Sequence, residues 1–405
     1  MDKKKKLSLA AQIFIGLFLG ILAGFAFLAA GKAEWAVAYV KPFGTIFLNL
    51  IKFIVVPIVL CSIIGGVISM KDIRKVGSIG WKTIAFYMVT TAFAVVIGLF
   101  FANIFKGSFQ VLQTSDLQYE VAQSTNFMDT LVNIFPSNII QPLSNAVMLQ
   151  VIVIALFFGF GIILAGEKGE PLAAVIVSLS DVSMIIMDLI LKLSPIGVFC
   201  LITPVVAENG AKILGSLAMV LLTAYICYII HAVVVYSLSV KTMAGLSPVK
   251  FFKGMAPAMA MAFSSASSVG TLPLNLECAE KLGAKKDIAS FVLPLGATIN
   301  MDGTAIYQGV CAVFIATCFG IDLTLAEMMT IVLTATLASI GTAGVPGSGM
   351  IMLAMVLQSV GLPVEGIALV AGVDRIFDMG RTVVNITGDA ACSIVVSALE
   401  EKKNK

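Results

Sequence analysis

The sequence predicts an all-α polytopic membrane protein with eight transmembrane helices plus two re-entrant helical hairpins of opposite orientation, arranged as inverted repeats. Three observations predict it. The 405 residues are 59% hydrophobic and 12% charged, with a mean hydropathy of +1.03, whereas a soluble domain carries about a quarter charged residues. Apolar runs of the ~20 residues needed to cross a bilayer recur along the chain. Two further apolar stretches are broken in their middles by Gly, Ser and Pro, and each has the same charge character at both ends. A water-soluble globular protein is excluded. Nucleic-acid binding is excluded too, because the net charge of +3 comes from 26 Lys+Arg against 23 Asp+Glu placed at chain ends and short loops, where they orient a membrane protein.

Apolar stretches at 8–30, 42–69, 81–105, 131–165, 172–207 and 213–240 read as six spans, the fourth and fifth long enough to be tilted or broken. Lys3 to Lys6 lie before the first span, which is long and lacks a persuasive cleavage site, so it reads as a retained span with a cytoplasmic N-terminus. Lys71, Arg74 and Lys75 face the cytoplasm after the second span, which puts the Lys32–Lys41 connection outside. The loop 107–130 carries Asp116, Glu120 and Asp129 with no Lys or Arg and fits the outer face.

After the sixth span the pattern changes. Lys241, Lys250 and Lys253 precede the stretch 254–280, and Lys281, Lys285 and Lys286 follow it, so both flanks are cytoplasmic. Its middle, Ser264-Ser-Ala-Ser-Ser-Val-Gly-Thr-Leu-Pro273, makes it a hairpin that enters and leaves on one side. A seventh span, 287–319, runs outward. Beyond Asp322 and Glu327, a stretch broken by Gly341-Thr-Ala-Gly-Val-Pro-Gly-Ser-Gly349 ends at Gly361, Pro363 and Glu365 with no positive flank, which makes a second hairpin from the outside. The last span, 366–398, returns to a cytoplasmic C-terminal tail. Interrupted segments in corresponding places of an inverted repeat point to a transporter's midplane site, since non-helical backbone survives at membrane depth only inside protein or beside a cavity.

In the last span Asp374, Asp378, Arg381, Asn385 and Asp389 recur at steps of 4, 3, 4 and 4, which at about 100° per residue keeps them within about 80° of one helix face. A charge at the bilayer centre costs on the order of 2.5–3.5 kcal/mol on insertion scales, so this face meets protein, water, ligand or ions. The bland alternative is an internal salt-bridge network pairing Asp378 with Arg381 and Asp374 with Arg375. In the seventh span Gly296-Ala-Thr-Ile-Asn-Met-Asp-Gly-Thr304 interrupts an apolar helix. Hard cations take oxygen ligands, so Asn300, Asp302, Asn385 and Asp389 make a plausible cation cage, against which stands plain helix–helix hydrogen bonding. Arg381 offers a fork that matches a carboxylate, and Asp378 one turn away can receive an ammonium group, as an acidic amino acid requires. Tyr87, Thr90 and Thr91 share one face of the third span, but such hydroxyls usually bond their own backbone four residues back.

The seven cysteines show no CxxC spacing and there is one histidine, His231, so neither a disulfide framework nor a zinc site follows. Ser348 lies in Pro346-Gly-Ser-Gly349 rather than Gly-x-Ser-Gly, Asp389 follows Thr-Gly rather than completing Gly-x-Gly-Asp, and no GxxxxGK[ST] occurs. The chain therefore reads as no enzyme and no ATP-driven pump. An ion channel is the rival from another class, because a polar stripe can also line a pore. Asn385-Ile-Thr387 matches a glycosylation acceptor by chance, since it lies in the membrane stripe.

Four motifs, the serine-rich hairpin Ser264–Pro273, Asn300-Met-Asp-Gly-Thr304, Gly344-Val-Pro-Gly347, and Asp378-Met-Gly-Arg-Thr-Val-Val-Asn385 with Asp389, occur in one order over the whole chain. In them the sequence resembles the dicarboxylate/amino acid:cation symporters, the glutamate transporter family. The resemblance implies the glutamate-transporter fold and a homotrimer surrounded by membrane lipid. Each protomer would have a scaffold (1–78, spans 1 and 2; 131–210, spans 4 and 5) and a transport domain (79–130, span 3 and outer loop; 211–405) that moves like an elevator, with the second hairpin as outer gate. It implies that Arg381 holds a side-chain carboxylate, Asp378 the amino group, and Asn385, Thr382 and the backbone around Ala266, Ser267 and Ser268 the α-carboxylate, with Thr304, Val345 and Gly349 completing the pocket.

For sodium as the coupling ion, the resemblance implies three sites: Gly296, Asn300, Asn385 and Asp389; Thr298, Ser339, Ile340 and Thr342; and Tyr87, Thr90, Thr91, Asn300 and Asp302. It implies no cofactor. Ala266 and Val269 break the serine run, which leaves backbone rather than hydroxyl contacts there. Gln308 stands where potassium-countertransporting animal members have a glutamate, so no potassium dependence is expected. Asp378 favours an amino acid over a C4-dicarboxylate, and Asp389 favours sodium over protons. Short termini and the lack of a large loop suggest a prokaryotic plasma (inner) membrane.

Overall fold

A computed structural model describes residues 9–69, 77–109, 111, 132, 135–145, 147–339 and 348–403, and among these every regular element is helical. The basic clusters Lys3–Lys6 and Lys71–Lys75, the acidic positions Asp116, Glu120 and Asp129, and the hairpin tip Gly344–Gly347 lie outside the described residues.

The first half of the chain gives α1 (Leu9–Ala29), α2 (Ala33–Tyr39), α3 (Lys41–Ser69), α4 (Ser78–Phe105), α5 (Ile140–Ser144), α6 (Met148–Ala165), α7 (Glu170–Lys192) and α8 (Ser194–Asn209). The stretch expected as one span over 131–165 is helical in its membrane-length part only from Met148, because Pro136, Pro142 and Asn145 break up what precedes it. The span expected over 172–207 is two helices with a break at Leu193, where Pro195 enters the first turn of α8 and cannot donate to the turn before it.

The second half gives α9 (Lys212–His231), a π-helical turn Ala232–Tyr236, α10 (Ser237–Ala244), α11 (Pro248–Ser265), α12 (Ser268–Lys281), α13 (Lys286–Ile299), α14 (Asp302–Cys318), α15 (Leu325–Ala338), α16 (Ser348–Ser359), α17 (Ile367–Ala371) and α18 (Asp374–Lys403). α11 stops at Ala266, a non-glycine residue in the left-handed region (φ 51°). Ser267 is extended and caps α12 by accepting from the Gly270 amide (3.0 Å). α11 and α12 then pack on each other. The seventh span is interrupted as expected, with Asn300 extended between α13 and α14. The last span starts later than 366: α17 ends before Gly372 and the long helix begins at Asp374.

Among the described residues, six stretches are long and apolar enough to cross a membrane: Ala11–Ala29, Ser78–Ser108, Gln150–Met187, Ile213–Ala244, Lys286–Cys318 and Asp374–Lys402. α8, α15 and α16 are shorter apolar helices. Packing sorts the helices into two groups. α1 packs on α8, and α3 packs on α6, α7 and α8; separately, α4 packs on α14 and α9, while α18 packs on α11, α12, α13 and α14. The groups meet through α16 against α3 and α6, and through α17 against α8.

Candidate functional site

The α18 polar stripe is buried as a unit: Asp374, Asp378, Arg381, Asn385 and Asp389 are each 5% exposed or less. At its near end the Arg381 guanidinium donates from Nε to Asp378 Oδ1 (2.8 Å) and from both terminal nitrogens to Asp374 (3.3 and 3.4 Å). It also lies over the Tyr307 ring, 4.8 Å from its centroid, a cation–π contact. The internal network expected as the bland alternative therefore exists in part, with the Asp378–Arg381 pair as expected and the partner of Asp374 changed. Asp374 pairs with Arg381, while Arg375 sits 3.8 Å from Asp378 and donates to the Ser265 carbonyl at the α11 end (3.1 Å). Three of the five guanidinium hydrogens are engaged, which leaves one on each terminal nitrogen for a carboxylate. Gly349 at the start of α16 packs directly on this guanidinium, where a Cβ would collide with it.

One turn further along, Asn385 joins two neighbours. Its Oδ1 accepts from the Gly303 amide (2.7 Å), and its backbone carbonyl accepts from Asn300 Nδ2 (2.9 Å). The same Asn300 nitrogen donates to Asp389 Oδ1 (2.8 Å). Asn300 Oδ1 is buried and has no donor among the described residues. A Cβ on Gly296 would strike the Asp389 carboxylate and the Tyr87 hydroxyl, so glycine is what lets α13 close on α18 here. The cage expected from Gly296, Asn300, Asn385 and Asp389 is thus brought together. Its donor set is carboxylate, amide and carbonyl oxygen, which suits a hard cation. No group of three or more His, Cys, Asp or Glu that would hold a softer metal occurs among the described residues.

Asp302 lies at 0% exposure beside this cage. Thr91 donates to its Oδ1 (2.7 Å), Tyr236 donates to its Oδ2 (2.8 Å), and His231 Nε2 lies 3.1 Å from the same oxygen. His231 and Tyr236 lie five residues apart across the π-helical turn, whose i→i+5 geometry brings both rings to one side, edge to face and 4.9 Å apart, on Asp302. Sequence reasoning missed both residues. The signal was available, because an ionisable side chain inside an apolar membrane helix is itself a site indication.

The three hydroxyl positions of the third span divide. Thr91 crosses to Asp302, Tyr87 donates to the Val292 carbonyl (3.2 Å), and Thr90 donates to the carbonyl of Tyr87 on its own helix (3.2 Å). Thr298, Ser339 and Thr382 likewise donate to carbonyls of their own helices, Leu295, Thr336 and Asp378. Ile340, Thr342 and Val345 lie outside the described residues. Thr304 is buried, with its hydroxyl 3.7 Å from Met301 Sδ, and Ala266 and Ser268 are buried at the α11–α12 turn beside Ser267. Gln308 is 2% exposed on α14. All seven cysteines are free and buried.

Comparison with known proteins agrees with this architecture. The model of the sodium:dicarboxylate symporter family matches residues 9–399. The chain is 38% identical to a proton/sodium-glutamate symport protein of Bacillus caldotenax over 99% of this chain and 96% of that protein. It is 37% identical to a proton/glutamate-aspartate symporter of Escherichia coli K12 over 99% and 94%. It is 31% identical to a C4-dicarboxylate transport protein of Bacillus subtilis 168 over 98% and 94%. The chain is a membrane protein and belongs to the sodium:dicarboxylate symporter family, a family of transporters and not of enzymes.

Proposed function

We propose that this chain imports acidic amino acids, L-glutamate or L-aspartate, in symport with sodium. The observation that carries this reading is Asn385, which is shared between two halves of the site. On one side, four residues back on α18, lies Arg381 with the Asp374 and Asp378 carboxylates. On the other, four residues on, lies Asp389 tied to Asn300. The free hydrogens of Arg381 take the side-chain carboxylate and Asp378 takes the ammonium group. The buried Asp389 charge has amides for company but no cation among the described residues, an arrangement that is costly unless a counter-ion joins it. A sodium ion drawn to Asp389 and Asn300 Oδ1 fixes Asn300. Asn300 in turn fixes the Asn385 backbone, so ion binding orders the residue that the substrate's α-carboxylate needs.

The packing groups support the larger part of the reading. Eight spans and two opposed hairpins form two inverted repeats. The scaffold is residues 1–78 and 131–210, and the transport domain is 79–130 and 211–405. The second comes through the membrane as an elevator, with the hairpin of α15 and α16 as outer gate, in a homotrimer whose termini are cytoplasmic. Contact between the groups runs largely through α16 and α17, which fits one body sliding on another. Gln308 in place of an acidic residue leaves no potassium step.

Proton coupling is the second reading, favoured by the Escherichia coli relative's name. Uptake of radiolabelled L-aspartate and L-glutamate into proteoliposomes, driven first by an inward sodium gradient and then by a proton gradient, separates the two. Sodium-driven uptake that Arg381→Ala abolishes is expected. Uptake driven by protons alone overturns the sodium assignment of Asp389, and uptake of succinate in preference to either amino acid overturns the role of Asp378. Currents that reverse independently of any solute gradient would make the protein a channel.

A further inference from the structure

α18 opens with two acidic and two basic residues whose charges cancel: Asp374, Arg375, Asp378 and Arg381. Three of them have a part in the site described above; Arg375 does not. Its side chain is 20% exposed, yet both terminal nitrogens of its guanidinium are engaged. One donates to the Ser265 carbonyl (3.1 Å), and the other lies 3.8 Å from Asp378 Oδ2, within ion-pair reach. Arg381 Nε holds the other Asp378 oxygen, Oδ1 (2.8 Å). Asp378 is therefore set between two guanidinium groups, and one of these is also fastened to the first hairpin.

The backbone that Arg375 grips is under constraint. Ser265 ends α11, where the last carbonyls lack partners in the helical ladder and carry the negative end of the helix dipole. The next residue, Ala266, is the one non-glycine in the left-handed region among the described residues (φ 51°), a conformation that costs an L side chain about 1–2 kcal/mol. Such a residue keeps its conformation only where the surroundings over-determine it. Within the turn, Ser265 Oγ accepts from the Ser267 amide (3.3 Å) and Thr271 donates to the Ser267 carbonyl (2.8 Å). Those bonds are local. The bond from Arg375 crosses 110 positions and ties the turn to α18.

We propose that Arg375 is a positioning residue for the amino-acid end of the substrate. It spans Asp378, which takes the ammonium group, and the turn whose backbone takes the α-carboxylate, and so fixes the spacing of two sites that must serve groups on a single carbon. This role rests on the acidic-amino-acid reading of the site. A bridge of this kind needs donors fixed in a plane, which a guanidinium has and a lysine ammonium lacks.

Sodium-driven uptake of L-aspartate and L-glutamate into proteoliposomes tests it, with the parent protein beside Arg375→Gln and Arg375→Lys. The substrate concentration for half-maximal uptake is expected to rise about tenfold in both variants, as loss of a hydrogen bond from a charged group implies. Asp389 lies 14 residues further along α18, about 21 Å at the helical rise. The sodium requirement and the maximal rate at saturating substrate should therefore stay within about twofold, the behaviour of a distant site. Adding Ala266→Gly to Arg375→Gln, which lets the turn stay left-handed without a Cβ, is expected to recover about threefold. An unchanged or lower half-saturating concentration in Arg375→Gln overturns the proposal, as does a loss confined to the maximal rate. Full activity of Arg375→Lys overturns the bridge, because charge alone would then suffice, and no recovery in the double variant overturns the bracing of the turn. Where Arg375→Gln yields no monodisperse protein, Arg375→Lys, which keeps the charge and the stem, carries the same test. A parent protein that takes up neither amino acid refutes the functional reading itself, whereas normal parent uptake with unaltered variants refutes only the part given to Arg375.

Discussion

The stretch Lys286–Cys318, built from α13 and α14, and the first helix invert each other. α1 is the more apolar of the two, yet only 17% of its membrane-length window is buried, against 94% for Lys286–Cys318. In water the more apolar segment would be the inner one. In a bilayer apolar side chains face lipid at no cost, and the interior goes to groups that need partners. The two regions accordingly cohere by different means. α1 presents Gly16, Gly20 and Gly24 at successive turns to α8, so closely that a Cβ on any of them would strike Pro195, Phe199 and Ile202, or Thr203 and Val206. Around α18 cohesion comes from hydrogen bonds among buried side chains, Asn300, Asp302, Arg381 and Asn385 above all. One region is shaped to hold still, the other to hold charge.

The sharpest way to separate the two is to remove charge without changing shape. Asp389→Asn keeps an oxygen for Asn300 but no counter-charge for a cation, and is expected to raise the sodium concentration for half-maximal uptake about tenfold or more, equivalent to about 1.4 kcal/mol. The thermal midpoint in detergent should hold, and an unchanged sodium dependence would mean the α18 region is bonded for packing alone. Gly20→Ile does the reverse. Overpacking the α1–α8 contact should cost about 1–3 kcal/mol, seen as a lower midpoint, while the folded fraction keeps its ion and substrate dependence. Tyr236→Phe removes one of the groups held on Asp302, about 1 kcal/mol, and is expected to shift sodium dependence about fivefold. Smallest of all, Lys106→Ala breaks an ion pair with the exposed Asp322 at the end of α4, and neither uptake nor midpoint should move.

The sequence showed the polar stripe of α18, the break at Asn300 and the turn after Ser265 because each is local: a period, a pair of glycines, a run of serines inside an apolar stretch. It did not show the His231–Asp302–Tyr236 contact, whose partners lie 71 and 66 positions apart and meet across a π-helical turn that hydropathy does not mark. Asp374 pairing with Arg381 rather than with the adjacent Arg375 depends on rotamers inside the bundle, which residue spacing does not fix. Helix ends were likewise misjudged at Leu193 and Gly372, where hydropathy runs on through the break and only Pro195 or a glycine marks it.

The interleaving of the two helix groups sets an order on synthesis. α1 waits for α8, but both are complete once residue 209 has emerged. α4, made early, packs chiefly on α14, which begins at Asp302; at about 5–20 residues per second the ribosome needs roughly 10–40 s to supply that partner. During that interval α4 shows the nascent membrane Thr91 without its eventual partner Asp302, beside a group that has already closed. A chaperone or insertase that shelters α4 alone would therefore change the yield of this protein more than one acting on any other single helix.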